Sequence, residues 1–166
     1  FLKGDFLYGA DWLNDNTAQK LQDGRFWTPD MTMKNLAPYA QLNLDLWQKI
    51  NIKTGVRWEN INVDVDDFTT VKTWDGSKYI GGVEVKGGEL NYKAFTKNAG
   101  IKINYLEYFA PYINYSQAFS INELGRILRT SQVSIIDKLP TDPIIVDTYE
   151  VGASGRWKHY FNYNLS

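Results

Sequence analysis

Chemistry in this chain has few places to reside. There is no cysteine, which rules out disulfides and thiolate metal sites, and the one histidine, His159, falls in a predicted short turn. No G-x-S-x-G is present, so the sequence offers no nucleophile elbow. Glu84 and Glu89 lie among Gly81, Gly82, Gly87 and Gly88, but the lysine and hydroxyl residue of a phosphate loop are missing. The pair Asp66–Asp67 reads as a solvated loop. The sequence is therefore read as non-enzymatic, without metal or cofactor. What remains are cations and aromatic rings in the connecting segments: Arg25 with Phe26 and Trp27, Trp74 and Tyr79 in VKTWDGSKYIGG, and Arg126 and Arg129 in GRILRT. Such groups suit a flat or anionic molecule, through stacking and charge-assisted hydrogen bonds. Asp75–Gly76 marks the tip of a hairpin that carries Trp74 and Tyr79.

The elements that must position these groups are strands of one kind. GDFLYGADWLN, NLAPYAQLNLDLW, INIKTGVRWE, NAGIKINYL, FAPYINYSQAF and DTYEVGASGRW each alternate apolar and polar residues, and FNYNLS looks like a seventh strand. In the third, Ile50, Ile52, Val56 and Trp58 oppose Asn51, Lys53, Arg57 and Glu59. Each strand runs about nine to eleven residues, the length that crosses a bilayer at a tilt. Short turns follow strands two, four and six. Connections of roughly twenty, thirty and thirty residues follow strands one, three and five, far above the usual four to six or so. Strict alternation of short turns with long loops is the asymmetry of a transmembrane β-barrel, with short periplasmic turns and long extracellular loops.

Composition agrees. The 166 residues contain 6 Trp and 11 Tyr, an aromatic fraction of 15%. Trp12, Trp58, Phe119 and Tyr149 are expected where strands meet long loops. Trp47, Tyr105, Phe109, Trp157 and Tyr160 are expected at the short turns, giving one aromatic belt per interface. No apolar window is long enough for a transmembrane helix. A formal net charge of -1 gives no reason to expect nucleic acid. The chain opens at Phe1 with no charged-then-apolar leader, as a mature protein or an excised piece would.

Four stretches resemble the barrel of TonB-dependent outer-membrane receptors. APYAQLNLDLWQKINIKTGVRWEN resembles a family hairpin through Tyr39, Gln41, Leu46, Ile50, Ile52, Gly55, Arg57 and Trp58. KNAGIKINYLEYFAPYINYSQAF resembles a second. FSINEL stands in the place of a stretch that in the family carries Arg and Pro, both missing here. DTYEVGASGRWK matches at Tyr149, Glu150, Val151 and Gly152. The resemblance implies an all-β fold: an antiparallel transmembrane β-barrel segment of six to seven meander strands. Residues 1–166 would form part of the barrel domain, with the plug domain absent from this stretch. It further implies a receptor in the bacterial outer membrane that binds an extracellular ligand, most readily a ferric siderophore, and imports it with energy from TonB. The implied partners are outer-membrane lipid, the plug of the parent chain, TonB and the small ligand. Arg25, Trp27, Trp74, Tyr79, Arg126 and Arg129 are the ligand candidates. Arg57, Glu59, Glu150 and Arg156 would face the lumen and plug. Two other classes fit parts of the pattern: a soluble β-sandwich that binds carbohydrate through exposed aromatics, and a passive porin.

Overall fold

The structure, a computed structural model, describes residues 2–104, 106–157 and 160–166, the side chain of Trp157 excepted. The expected rim residues Tyr105 and Trp157, and the turn residues Lys158 and His159, thus lie outside the described residues. In chain order the elements are β1 (Leu2–Lys20), β2 (Phe26–Leu46), β3 (Ile50–Val65), β4 (Phe68–Thr69), β5 (Thr73–Trp74), β6 (Tyr79–Ile80), β7 (Glu84–Val85), β8 (Gly88–Ile103), β9 (Ala110–Ser120), helix α1 (Leu124–Arg129), a single 3-10 turn (Ile136–Lys138), β10 (Ile144–Trp157) and β11 (Phe161–Leu165). Seven of the strands form one antiparallel meander, β1-β2-β3-β8-β9-β10-β11, with β1 and β11 at its edges. The two-stranded sheets β4-β7 and β5-β6 lie within the connection between β3 and β8.

Register places the apolar residues of neighbouring strands in rows. One row runs Phe6–Leu42–Thr54–Ala99–Tyr115–Tyr149, and the next runs Gly4–Leu44–Ile52–Ile101–Ile113–Val151. Side chains on this face are uncovered: Phe6, Tyr8, Trp12, Tyr149 and Val151 are each between 65% and 75% exposed. A sandwich would bury them under a second sheet, and none lies over them among the described residues. An uncovered apolar face of this kind is what a transmembrane barrel turns to lipid. Pro38 shares that face opposite Ala10 and, lacking an N–H, coincides with a gap in the β2–β3 ladder between Leu36 and Tyr39.

Three expectations are corrected. Five of the seven main strands are longer than expected, from 14 to 21 residues. The first long loop does not exist, because β1 and β2 stay paired outward and leave only the turn at 21–25. Trp12 and Trp58 accordingly lie within strands and not at their ends. The reason is a change of phase. Below Asn60 the apolar residues of β3 face lipid and the polar ones face inward. Above it Asn62 and Asp64 face outward, while Ile61, Val63 and Val65 face inward and are buried. β8 inverts in step: Asn91 and Glu89 point outward opposite Asn62 and Asp64, and Tyr92 and Leu90 point inward. Pairing continues past the membrane because the alternation continues, with the apolar set moved to the other face.

That inward apolar surface carries the dry core. Ile61, Val63, Val65, Leu90 and Tyr92 pack with Phe68 and Val85 of the β3–β8 connection and with Leu124, Leu128 and Ile136 of the β9–β10 connection. Met31 and Met33 of β2 join its edge.

Candidate functional site

Two regions gather polar and charged side chains, one on the inward wall below the dry core and one at the outer turns.

On the wall, Arg57 lies between two carboxylates. Its Nη1 reaches Asp11 Oδ2 at 2.5 Å, its Nε donates to Glu59, and its guanidinium stands 5.9 Å from the Tyr39 ring centroid. Asn35 donates to the other oxygen of Glu59 at 2.9 Å. β1, β2 and β3 supply these groups from adjacent rows: Gly9 opposes Tyr39, which opposes Arg57. A Cβ on Gly9 would sit 2.7 Å from the Tyr39 hydroxyl, so that glycine makes room for the ring. Farther along the wall, Glu150 accepts from Tyr112 at 3.0 Å and from Asn114 at 3.2 Å. Arg156 Nε donates to Asn162 at 3.1 Å. Arg57, Glu59, Glu150 and Arg156 thus share the face opposite the lipid band, in two separate clusters.

At the outer end, residues 66–87 fold as one irregular hairpin. β4 pairs β7, β5 pairs β6, and Thr70 ties the two arms: its N–H donates to the Val83 carbonyl at 3.0 Å and its hydroxyl accepts from the Val83 N–H at 2.9 Å. Gly81 and Gly82 hold φ of 90° and 71°, a conformation that disfavours any side chain. The tip is closed by Asp75, whose Oδ1 accepts from the Ser77 N–H at 2.8 Å and the Lys78 N–H at 2.9 Å. Those bonds hold the Asp75 carboxyl below its usual pKa. Trp74 and Tyr79 meet edge to face across the tip, 5.1 Å apart, and both are exposed.

Between this hairpin and the β1–β2 turn runs an open groove of about 630 Å³, lined by Arg25, Phe26, Phe68, Thr70, Lys72 and Gly82 among others. Arg25 is bound by Asp23 through Nη2 at 2.6 Å and Nε at 2.9 Å, which lowers the pKa of that carboxyl. Lys20 stands 4.7 Å over the Phe26 ring. The Lys72 stem lies flat on Gly82, where a Cβ would come within 2.5 Å of Lys72 Cε. Lys72 has no carboxylate partner among the described residues, and Asp67, which also lines the groove, accepts from the Gly87 N–H at 2.7 Å, so the groove presents one ammonium group without an ion pair beside Phe26 and Phe68. The sequence reading missed Lys72, which lay within the singled-out stretch, because which lysine borders a groove depends on how the turns meet.

The six outer candidates are therefore not one constellation. Arg25 lines the groove. Trp74 and Tyr79 pair at the hairpin tip. Arg129 stacks its guanidinium 5.6 Å over Trp27, and Arg126 of α1 pairs at 3.3 Å with Glu123, which precedes the helix. Among the described residues no group of three or more His, Asp or Glu is placed to hold a metal ion, and no helix is long and apolar enough to cross a membrane.

The comparisons with known proteins fall on the same architecture. The family described as TonB dependent receptor-like, beta-barrel, matches residues 1–166. The ferric aerobactin receptor of Klebsiella pneumoniae is 25% identical over 146 residues, covering 78% of this chain and 20% of that receptor. The chain thus spans about a fifth of the length of this curated relative. No solved structure matches it. A meander whose one face is bare and apolar, whose other face is polar, and whose sequence matches the family from end to end is a stretch of receptor wall: the chain belongs to the TonB dependent receptor-like β-barrel family, whose members are transport receptors rather than enzymes.

Proposed function

We propose that the parent protein resides in the bacterial outer membrane, binds an anionic ferric siderophore at its outer face and imports it with energy delivered through TonB. Residues 1–166 supply part of the barrel domain. The plug and the TonB-contacting segment belong to other parts of the parent chain. The observation that carries the ligand class is the groove in which Lys72, without a carboxylate partner among the described residues, and Arg25 stand beside Phe26 and Phe68, while Asp67 is turned to the Gly87 N–H. A ferric chelate built on carboxylates or catecholates offers both negative charge and flat surfaces to such a site. The curated relative, a ferric aerobactin receptor, agrees in direction. Arg57, Glu59, Glu150 and Arg156 would line the lumen against the plug.

The test is binding of ferric aerobactin to cells that carry the intact parent receptor. Charge-assisted contacts are typically worth about 1.5–3 kcal/mol, so Lys72→Ala should weaken binding roughly tenfold to a hundredfold. Arg25→Ala and Trp74→Ala should weaken it in the same direction. Undiminished affinity in all three would move the ligand site off this sector. Equal loss on a neutral ferric chelate would remove charge as the basis of recognition.

A further inference from the structure

The segment 121–143 between β9 and β10 is the longest connection still without a role. A loop of this size at a receptor's mouth has two uses. It can swing over a ligand, or it can be a standing part of the wall. The contacts decide between them. Leu128 and Ile136 are 0% and 1% exposed and pack on Val63, Leu90 and Tyr92 of the inward face of β3 and β8. α1 reaches as far as β2, where Gly125 lies against buried Thr28: a Cβ there would come within 3.2 Å of Thr28 Cγ2. The Arg129–Trp27 stack joins the same two elements. The far end is hydrogen-bonded to the neighbouring connection, Lys86 N–H to the Ser134 carbonyl at 2.9 Å and Ile136 N–H to the Lys86 carbonyl at 3.4 Å. The segment leaves β9, passes over β8 and β3, and reaches β2, covering the apolar inner surface those strands would otherwise show to water.

We infer that residues 121–143 are a fixed brace, built into the inner wall before any ligand arrives, which narrows the outer mouth permanently and presents Arg126 from a rigid platform. Arg129 is on this view a positioning residue, holding α1 to β2 through Trp27. Swinging the brace away would expose the apolar faces of Ile61, Val63, Val65, Leu90 and Tyr92 together, and exposure of a surface of that kind opposes opening. Movement on binding falls instead to the 74–79 tip, where Trp74 and Tyr79 are exposed and the turn is held only by local hydrogen bonds.

Amide hydrogen exchange on the full-length receptor in detergent, without ligand, tests this. Peptides covering 124–139 should exchange at least roughly a hundredfold more slowly than peptides covering 74–79, and within about tenfold of β3. Exchange as fast as at the tip would overturn the inference. Leu128→Ser should raise exchange across 124–139 at least tenfold while β3 stays protected; an unchanged rate would show that the buried contact is not what holds the segment. Saturating ferric aerobactin should leave 124–139 within about threefold of its ligand-free rate, and a larger slowing there would make the segment a gate. The ligand-free comparison decides the brace even where aerobactin proves to be the wrong ligand.

Discussion

At the scale of single residues, the wall cluster is the most exposed to test. Glu59 has a side chain only 12% exposed and depends on Arg57 and Asn35 for its partners. Arg57→Ala leaves that carboxylate buried with one amide donor. The expected cost is about 1–3 kcal/mol of barrel stability, read as a lowered urea midpoint of the folded receptor in lipid vesicles. Adding Glu59→Gln should recover part of the loss, since the uncompensated charge is then gone. A double variant that sums the two single losses would mean that the pair is not coupled. The hairpin tip makes a prediction about pH. The Asp75 carboxyl is held below its ordinary value, first by the Lys78 N–H and then by Ser77. A depressed folded pKa stabilises the turn above the unfolded value, and that contribution is lost as pH falls through the lowered one. The Trp74–Tyr79 contact should therefore persist at neutral pH and loosen only below the ordinary carboxylate range. The fluorescence difference between the receptor and its Trp74→Phe variant, followed against pH, measures it. Loosening between pH 6 and 8 or so would contradict the assignment, because the lowered Asp75 carboxyl is already ionised throughout that range.

At the scale of elements, the β2–β3 turn carries visible strain. Trp47 and Gln48 hold φ of 53° and 61°, and the Lys49 N–H closes the turn on the Leu46 carbonyl at 3.0 Å. Two consecutive left-handed residues are the geometry that Asn-Gly usually fills. Gln48→Gly should stabilise the hairpin by about 1 kcal/mol, since an L-residue is disfavoured there by about that amount. A lowered urea midpoint in that variant would mean the Gln48 side chain is needed. The two faces of the sheet at β8 and β9 give a sharper contrast. Ile101→Arg in the middle of the apolar band should cost about 2–4 kcal/mol on refolding into vesicles, whereas Ser116→Arg on the inward face of β9 should cost little. Equal costs would remove the distinction between lipid and lumen.

The strands themselves were legible as far as the outer aromatic residues and no farther. Ile50, Ile52, Val56 and Trp58 alternate with polar residues in one phase, and that phase names the lipid face. INVDV continues the alternation in the opposite phase, so a reader following one apolar stripe stops at Glu59 and sees a loop. The signal was present: a two-residue period that survives while its apolar face changes sides marks a strand leaving the bilayer for a watery exterior. The Asp75–Gly76 hairpin was legible because turn chemistry is local. The groove was not, since Arg25 comes from the β1–β2 turn and Lys72 and Gly82 from opposite arms of the 66–87 hairpin, and only the fold sets them side by side.

At the scale of the whole molecule, the aromatic belts and the register together give a tilt. The row through Tyr115 and Tyr149 reaches β1 at Phe6, whereas the outer aromatic of β1 is Trp12. Setting Trp12 and Tyr149 at one interface requires a climb of six residues over five strand steps. At about 3.4 Å per residue and about 4.8 Å per strand, that is roughly 20 Å along against 24 Å across, a tilt of about 40°. On β3 the same tilt carries the eight steps from Ile50 to Trp58 through a height of about 21 Å, most of the apolar band of an outer-membrane barrel, with Trp47 in the turn below. Such a strand set closes only as part of a larger barrel.

A passive pore would share this wall, and what separates it from a receptor is coupling to energy. The most direct measurement is uptake of radioactive iron as ferric aerobactin by iron-limited cells, with and without the parent receptor and with and without a protonophore. The reading proposed here predicts uptake that needs the receptor, saturates with ligand concentration and stops when the proton gradient is dissipated. Uptake that rises linearly with concentration and ignores the protonophore would make this chain the wall of a passive channel and would contradict the central claim.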